Sequence, residues 1–477
     1  KKYDKKQEYI IMIFENYRSL IKYISMVLFI LLVFSINFVC YAQTDIKTRL
    51  DTLVKNSSIS NTALVSVSIR EAETGKLVYQ RYGDYFLHTA SALKVFTTPL
   101  SLVYLGKDYS LSTVVYKDKS NSNIYVKLSA DPLLSYNDLK NLCIKIKENG
   151  VSSINGSLII NDDIIDDIPW GVGWMWDDEN NYLMPKYSAY NLDHNVIKVN
   201  VSPGKYNSPP DVSIDPYYPV KIVNNAISSN LNSIIIERKP WLDPENIYIS
   251  GKISKSISKN IPAGIPKNYF IYRFKEALKQ SNINFNGNII SGKIPHDAEK
   301  IAAVNHSLLD IVSYTNQKSD NLAAETLLKL VGNKFSKTTG TTKNGLIALK
   351  SYYASIGASA DKQEIVDGSG ASHNDLVQAN WMTLALSKLY KTSYFSTFQQ
   401  TLAQPYKQGT IQYRFKNLQN RLWAKTGTLA GISSITGYLK ANSGKYYTFA
   451  ILIQNYKGSS APAKNLENSI INEISKL

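Results

Sequence analysis

Cysteine is nearly absent from this chain: its 477 residues hold two, Cys40 and Cys143. Histidine is scarce as well, and His88, His194, His296, His306 and His373 follow no metal-ligand spacing. No H-E-x-x-H or G-x-S-x-G run occurs, so a zinc peptidase and a Ser-His-Asp hydrolase would each lack their residues. There is no Gly-rich phosphate loop, no nucleic-acid motif, no low-complexity tract and no obvious internal repeat. No cofactor, no metal and no nucleic-acid partner is therefore expected. Acidic residues are outnumbered, 38 against 54 Lys and Arg, for a formal net charge of +16. That balance suits an anionic envelope polymer, and equally a lysine-rich composition overall.

Long apolar runs are missing too. The most apolar stretch, Ile24 to Val39, is short for a membrane span and contains Asn37. It follows Arg18 and Lys22 and ends in Cys40-Tyr41-Ala42, which reads as a secretory signal, residues 1–42, cut after Ala42. A retained anchor is the alternative, and membrane association is expected only in that case. A lipid-modified Cys40 is a third reading, against which stands the absence of a small residue just before it. Cleavage after Ala42 leaves Cys143 alone, so no intrachain disulfide can form. Cys143 lies in an amphipathic helical pattern and is expected to be a buried packing residue.

What is present is an ordinary globular composition, 44% hydrophobic and 19% charged, at a length that predicts two or three domains. Ala63–Arg70 and Leu77–Tyr82 alternate as a hairpin around Gly75; Arg421–Gly427, Ser434–Leu439 and Tyr447–Ile453 read as strands. With the helical runs between them, these predict one α+β domain assembled from both ends of the chain.

Chemistry gathers in three short runs. Ser91 and Lys94, three apart in an apolar-periodic stretch, fall on one helix face about a turn apart. Ser319-Asp320-Asn321 and Lys425-Thr426-Gly427-Thr428 follow in that order. A serine hydroxyl attacks an amide carbonyl poorly unless a base takes its proton, and Lys94 is spaced for that task. A lysine is a base near neutral pH only where its ammonium form is disfavoured, by burial or by a second cation, for which Lys425 is the candidate. Donors for an oxyanion would be the backbone N–H groups of Ser91 and Thr428. Taken singly, each run has an ordinary reading as a solvated helix face, a turn or a strand end.

Together, and with longer blocks around them, they carry a resemblance. Thr315 to Glu325, Asp367-Gly368-Ser369-Gly370, Ala424 to Ser433, Asp131-Pro132 with Asp138-Leu139, Gly173 to Asp178, and Ser188-Ala189 with Asn195 are similar to blocks of the D-alanyl-D-alanine carboxypeptidase/endopeptidase family. These are class C low-molecular-mass penicillin-binding proteins, peptidase family S13, and the likeness spans about residues 60–460. It implies a penicillin-binding/β-lactamase-like transpeptidase domain, an antiparallel sheet flanked by helices, with a large nested insert. The 225-residue spacing from Lys94 to Ser319 gives room for that insert. The expected division is 43–104 with 300–477 for the peptidase domain, 105–198 with 262–299 for inserted domain II, and 199–261 for a β-rich domain III.

The resemblance implies a serine D-Ala-D-Ala carboxypeptidase, and D,D-endopeptidase, of peptidoglycan stem peptides, with β-lactams as inhibitors and an exported location in the periplasm or cell envelope. Ser91 would be the acylated nucleophile, Lys94 its base, Ser319 a proton relay to the leaving amine and Asn321 a ligand of the substrate amide. Lys425 would hold the terminal carboxylate and tune Lys94, with Thr426, Gly427 and Thr428 lining the same strand. Asp178 is a candidate for the amino group of the stem-peptide side chain, or else a local cap. One departure stands out: Asp367 to Asn374 is one residue shorter than the family's Asp-Gly-Ser-Gly-Leu-Ser-Arg-x-Asn and has His373 but no arginine. Two other functions compete with this one. A class A β-lactamase would need a deacylating Glu in an E-x-x-L-N-like segment, and none lies between Asn321 and Lys425. A non-catalytic peptidoglycan-binding protein would not need Ser91, Lys94, Ser319, Asn321 and Lys425 intact.

Overall fold

The computed structural model describes Met12 and residues 20–28, 45–119 and 123–477. The expected signal, with Arg18, Cys40 and the cut after Ala42, lies for the most part outside the described residues. No helix among the described residues is long and apolar enough to cross a membrane. Contacts divide the chain into a unit ending at Asn56, which contains the helix Ile46–Lys55, and a second unit, Ser57–Leu477.

In the second unit the two ends of the chain share one antiparallel sheet. Its strand order is Leu77–Arg81, Leu64–Glu71, Tyr446–Gln454, Ile432–Lys440, Leu422–Leu429. The central strands are buried along nearly their whole length because helices cover both faces. Ser433 and Tyr438 point to opposite faces of one strand. Ser433 Oγ donates to Glu467 on the helix Ala461–Ile474, and Tyr438 OH donates to Leu386 O on the helix Ala379–Tyr390.

A second five-stranded sheet lies in the insert, in the order Ile289–Ser291, Leu158–Asn161, Ile124–Lys127, Ser110–Lys117, Glu299–Ser307. Glu299–Ser307 pairs antiparallel with Ser110–Lys117, so the chain returns to the helices beside the first sheet at Leu308 rather than at 300. A boundary read from polarity alone cannot see which sheet a strand joins. The expected β-rich segment also starts earlier and ends later than 199–261, because Val196–Ser202 pairs with Ile257–Pro262 along its full length. Ser57–Leu477 is nevertheless one compact unit. The helix Tyr136–Glu148 starts at a capping box, with Ser135 Oγ accepting from Asp138 N–H while the Asp138 carboxylate accepts from Ser135 N–H. It buries Leu139, Leu142, Cys143 and Ile146, and burial pushes the Cys143 thiol up to about 12, which leaves it inert.

The helix Asn321–Ser336 packs against the helices Thr342–Ser355 and Lys94–Tyr104, and its residues Leu322 to Gly332 are all buried. A helix covered on every side is the interior post of a domain. Its first residue is the third of the Ser-Asp-Asn run.

Candidate active site

Ser91 does not sit in the body of a helix. It lies in a single 3₁₀ turn, Ala90–Leu93, that feeds the α-helix Lys94–Tyr104. Ala90, immediately before it, has φ +45, a left-handed conformation that non-glycine residues seldom take. Close packing holds the turn in place: Thr89 O accepts from Ser434 Oγ at 2.5 Å, and Gly370 lies against Ala90 O, where an added Cβ would be 2.0 Å from the oxygen.

Lys94 is fully buried, and its ammonium nitrogen bonds to Ser91 Oγ at 2.9 Å, Asn321 Oδ1 at 2.6 Å and Ser369 O at 2.8 Å. Burial lowers its pKa to about 8, against the opposing pull of Asp367, Glu325, Asp320 and Asp375. Of the two means expected to disfavour its ammonium form, burial is the one that acts on Lys94. Lys425 is itself fully buried, and burial first, then the charge on Lys94, holds it well below the usual lysine range. Two ammonium groups in one dry site oppose each other's protonation, so the pair favours carrying a single proton.

The Ser319 loop is built by helix termini. The helix Leu308–Lys318 ends at Ser319 in the left-handed region, φ +62, and Asp320 caps the next helix by accepting from Ala323 N–H at 2.7 Å. This tight break turns Ser319 Oγ toward Lys425 Nζ, 2.8 Å away, and places Asn321 beside Lys94. Ser91, Lys94 and Asn321 thus form one hydrogen-bonded group, and Ser319 with Lys425 forms a second beside it. Asn321 was expected to reach the substrate amide, yet here its oxygen accepts from Lys94 and its nitrogen donates to Leu183 O at 2.9 Å.

Lys425, Thr426, Gly427 and Thr428 lie on the edge strand Leu422–Leu429. Thr426 Oγ1 meets Thr410 Oγ1 at 2.8 Å, and Thr428 is exposed. Gly427 has a steric reason to be glycine: an added Cβ would lie 2.4 Å from Ser434 Oγ, 2.6 Å from Thr89 O and 2.8 Å from Ser91 N. Gly427→Ala is expected to push the strand away from the Ser91 turn and slow acylation by labelled penicillin on the order of 10²-fold, the cost of a displacement of about 1 Å. Wild-type acylation rates in this variant would contradict the role of that close approach.

Behind Lys94 stands a set of buried acids, Glu325, Asp367 and Asp375. Both oxygens of Glu325 accept from Gly368 N–H at 3.0 Å, and burial pushes its carboxyl up to about 8. Asp367 accepts from Ser369, Gly370 and Ser372 N–H and from Trp174 Nε1, which folds the Asp-Gly-Ser-Gly loop around one carboxylate. Asp375 is raised far above the usual carboxylate range by burial and by Asp367. The spacing of Glu325 four residues after Asn321, on one helix face, was the available signal.

The Asp178 carboxylate accepts from Met175 N–H at 3.0 Å and caps its own 3₁₀ turn. Burial raises its pKa, with Asp177 adding to the rise and His373 opposing it. His373 is exposed, and its ring stands 5.7 Å from that of His88.

Comparison with known proteins agrees with this architecture. The model of the D-Ala-D-Ala carboxypeptidase 3 (S13) family matches residues 46–475. D-alanyl-D-alanine carboxypeptidase DacB of Haemophilus influenzae is 24% identical over 450 residues, covering 87% of this chain and 91% of that protein. D-alanyl-D-alanine carboxypeptidase of Actinomadura sp. strain R39 is 25% identical over 447 residues, covering 87% and 82%. The crystal structure of penicillin binding protein 4 (dacB) from H. influenzae superposes with a TM-score of 0.81 at 22% identity, over 90% of this chain and 99% of that one. The same protein has been crystallised with a β-lactam. The expected penicillin-binding fold is therefore the observed one, and the chain belongs to the D-Ala-D-Ala carboxypeptidase 3 (S13) family.

Proposed function

We propose that this D-Ala-D-Ala carboxypeptidase works through an acyl ester on Ser91. The observation that carries the proposal is the 2.9 Å contact between Ser91 Oγ and the wholly buried Lys94 amine. Neutral Lys94 takes the hydroxyl proton as Oγ attacks the carbonyl of the penultimate D-Ala. The oxyanion is held by the backbone N–H groups of Ser91 and Thr428. Collapse breaks the amide bond; the proton passes through Ser319 to the leaving amine, and terminal D-Ala departs. Water then cleaves the ester and restores Ser91. The substrate's terminal carboxylate fits beside Lys425, whose amine donates to Ser319 Oγ at 2.8 Å.

Peptidoglycan stem peptides are the substrate in this reading, and β-lactams its inhibitors. We infer export to the periplasm or cell envelope as well, because that polymer lies outside the cytoplasmic membrane and the run ending at Ala42 reads as a signal. Mass spectrometry of products from purified peptidoglycan tests the reading. Released D-Ala is expected, and cut cross-links would add D,D-endopeptidase activity; release of neither would refute it.

The protonation state of Lys94 sets the pH profile. Its pKa is lowered to about 8 and the neutral form is the reactive one, so activity is gained as pH rises. Acylation by a labelled penicillin should climb roughly tenfold per pH unit below that value and level off above it. A rate still climbing through about pH 10, where an unperturbed lysine titrates, would contradict this assignment.

A further inference from the structure

The insert touches the Ser319 loop through a residue the proposed mechanism leaves unused. Asp193, His194 and Asn195 are three successive non-glycine residues in the left-handed region, at φ 48, 54 and 55. Such a run persists only where the surroundings over-determine it. Two of the three side chains are tied within the insert. Asp193 accepts from Tyr136 N–H at 2.9 Å and Tyr269 OH at 3.3 Å. Asn195 accepts from Leu192 N–H and donates to Lys186 O and Asn191 Oδ1.

The imidazole between them is directed across to the peptidase region. It stacks on Tyr314, centroid to centroid 4.9 Å and 16° from parallel, and its Nδ1 lies 3.2 Å from Asp320 Oδ2. The other oxygen of Asp320 accepts from Ala323 N–H, so that one carboxylate is shared between the insert and the start of the central helix. Asp320 lies between Ser319, which meets Lys425, and Asn321, which meets Lys94.

We propose that His194, as imidazolium, is a positioning residue for catalysis: its ion pair with Asp320, braced by Tyr314, fixes the turn that presents Ser319 to Lys425 and Asn321 to Lys94. This rests on the acyl-Ser91 reading for the roles of those residues. The groups acting on the ring are Asp320, Asp193, Asp131 and Tyr314. Burial opposes the charged imidazole, but Asp320, 3.2 Å away, and the carboxylates of Asp193 and Asp131 outweigh it, and the pKa is raised. The ion pair is therefore present at low pH and is lost as pH rises through that raised value. A neutral ring keeps at most a neutral hydrogen bond, which is about half as strong.

The test compares acylation by a labelled penicillin in the wild type and in His194→Gln across pH. Lys94 titrates in both proteins, so its contribution divides out of the ratio. The wild type is expected to be faster on the order of tenfold near pH 6, with the ratio falling below about threefold near pH 9 as the ion pair is lost. In an Asp320→Asn background the same substitution should change the rate by less than about twofold at either pH, as a double-mutant cycle requires when the partner is gone. A ratio that does not change with pH, or one that persists without Asp320, overturns the proposal. Should His194→Gln fail to fold, His194→Asn, a residue at ease in the left-handed region, serves in its place. Failure of the acyl-Ser91 reading would look different, since the wild type itself would take no label.

Discussion

Ser91→Ala is expected to abolish covalent labelling by penicillin and to remove measurable D-Ala release. The substitution deletes one hydroxyl from a 3₁₀ turn held by other contacts: Ser434 Oγ on Thr89 O, and Gly370 and Gly427 packed beneath it. Lys94 keeps its acceptors on Asn321 and Ser369, so the buried amine is not orphaned. The folding cost is then that of one hydrogen bond, about 1 kcal/mol. Loss of label should accompany a nearly unchanged melting temperature, and the two together separate a missing nucleophile from a collapsed site. Label retained at full stoichiometry would mean that another residue is acylated, and the mechanism built on Ser91 would fall.

The Ser91–Lys94 pair was legible because its geometry is local. Ser91 and Lys94 are three residues apart, and a helical turn alone brings them together. Ser319 and Lys425 were legible for a different reason, as runs whose order matches a family. What joins them, the 2.8 Å contact between strand and loop, depends on a helix ending at Ser319 in a left-handed cap and was not readable from spacing. The paired strands at both ends of the chain were visible from their alternation. The true edge of the insert was not, since Glu299–Ser307 reads as a strand whichever sheet takes it. Least visible were Glu325, Asp367 and Asp375. Acidic residues in a sequence read as surface, and only the fold buries these three beside a lysine. Nor did spacing show the partners of Asn321, whose amide oxygen accepts from Lys94 and whose nitrogen donates to Leu183 O.

Lys94→Ala carries the second large effect. With the amine removed, Ser91 has no base in contact, and acylation is expected to slow by about 10²–10⁴-fold, the usual worth of a positioned proton acceptor. Lys425 is a poor substitute, since it bonds to Ser319 Oγ and the Thr426 carbonyl instead of reaching Ser91. The variant also relieves the charge opposition between the two lysines, so the pKa of Lys425 should rise toward its ordinary range. That has a separate consequence for the pH profile. The climb toward a plateau near 8, assigned to Lys94, should vanish from the residual activity, whereas a merely structural lysine would leave the profile's shape intact and lower only its height. Stability is expected to fall by roughly 1–3 kcal/mol as well, because Asn321 Oδ1 and the Ser369 carbonyl lose their donor in a buried site. Acylation at the wild-type rate with the wild-type pH profile would remove Lys94 as the base, and would direct attention to the proton shared by Lys425 and Ser319.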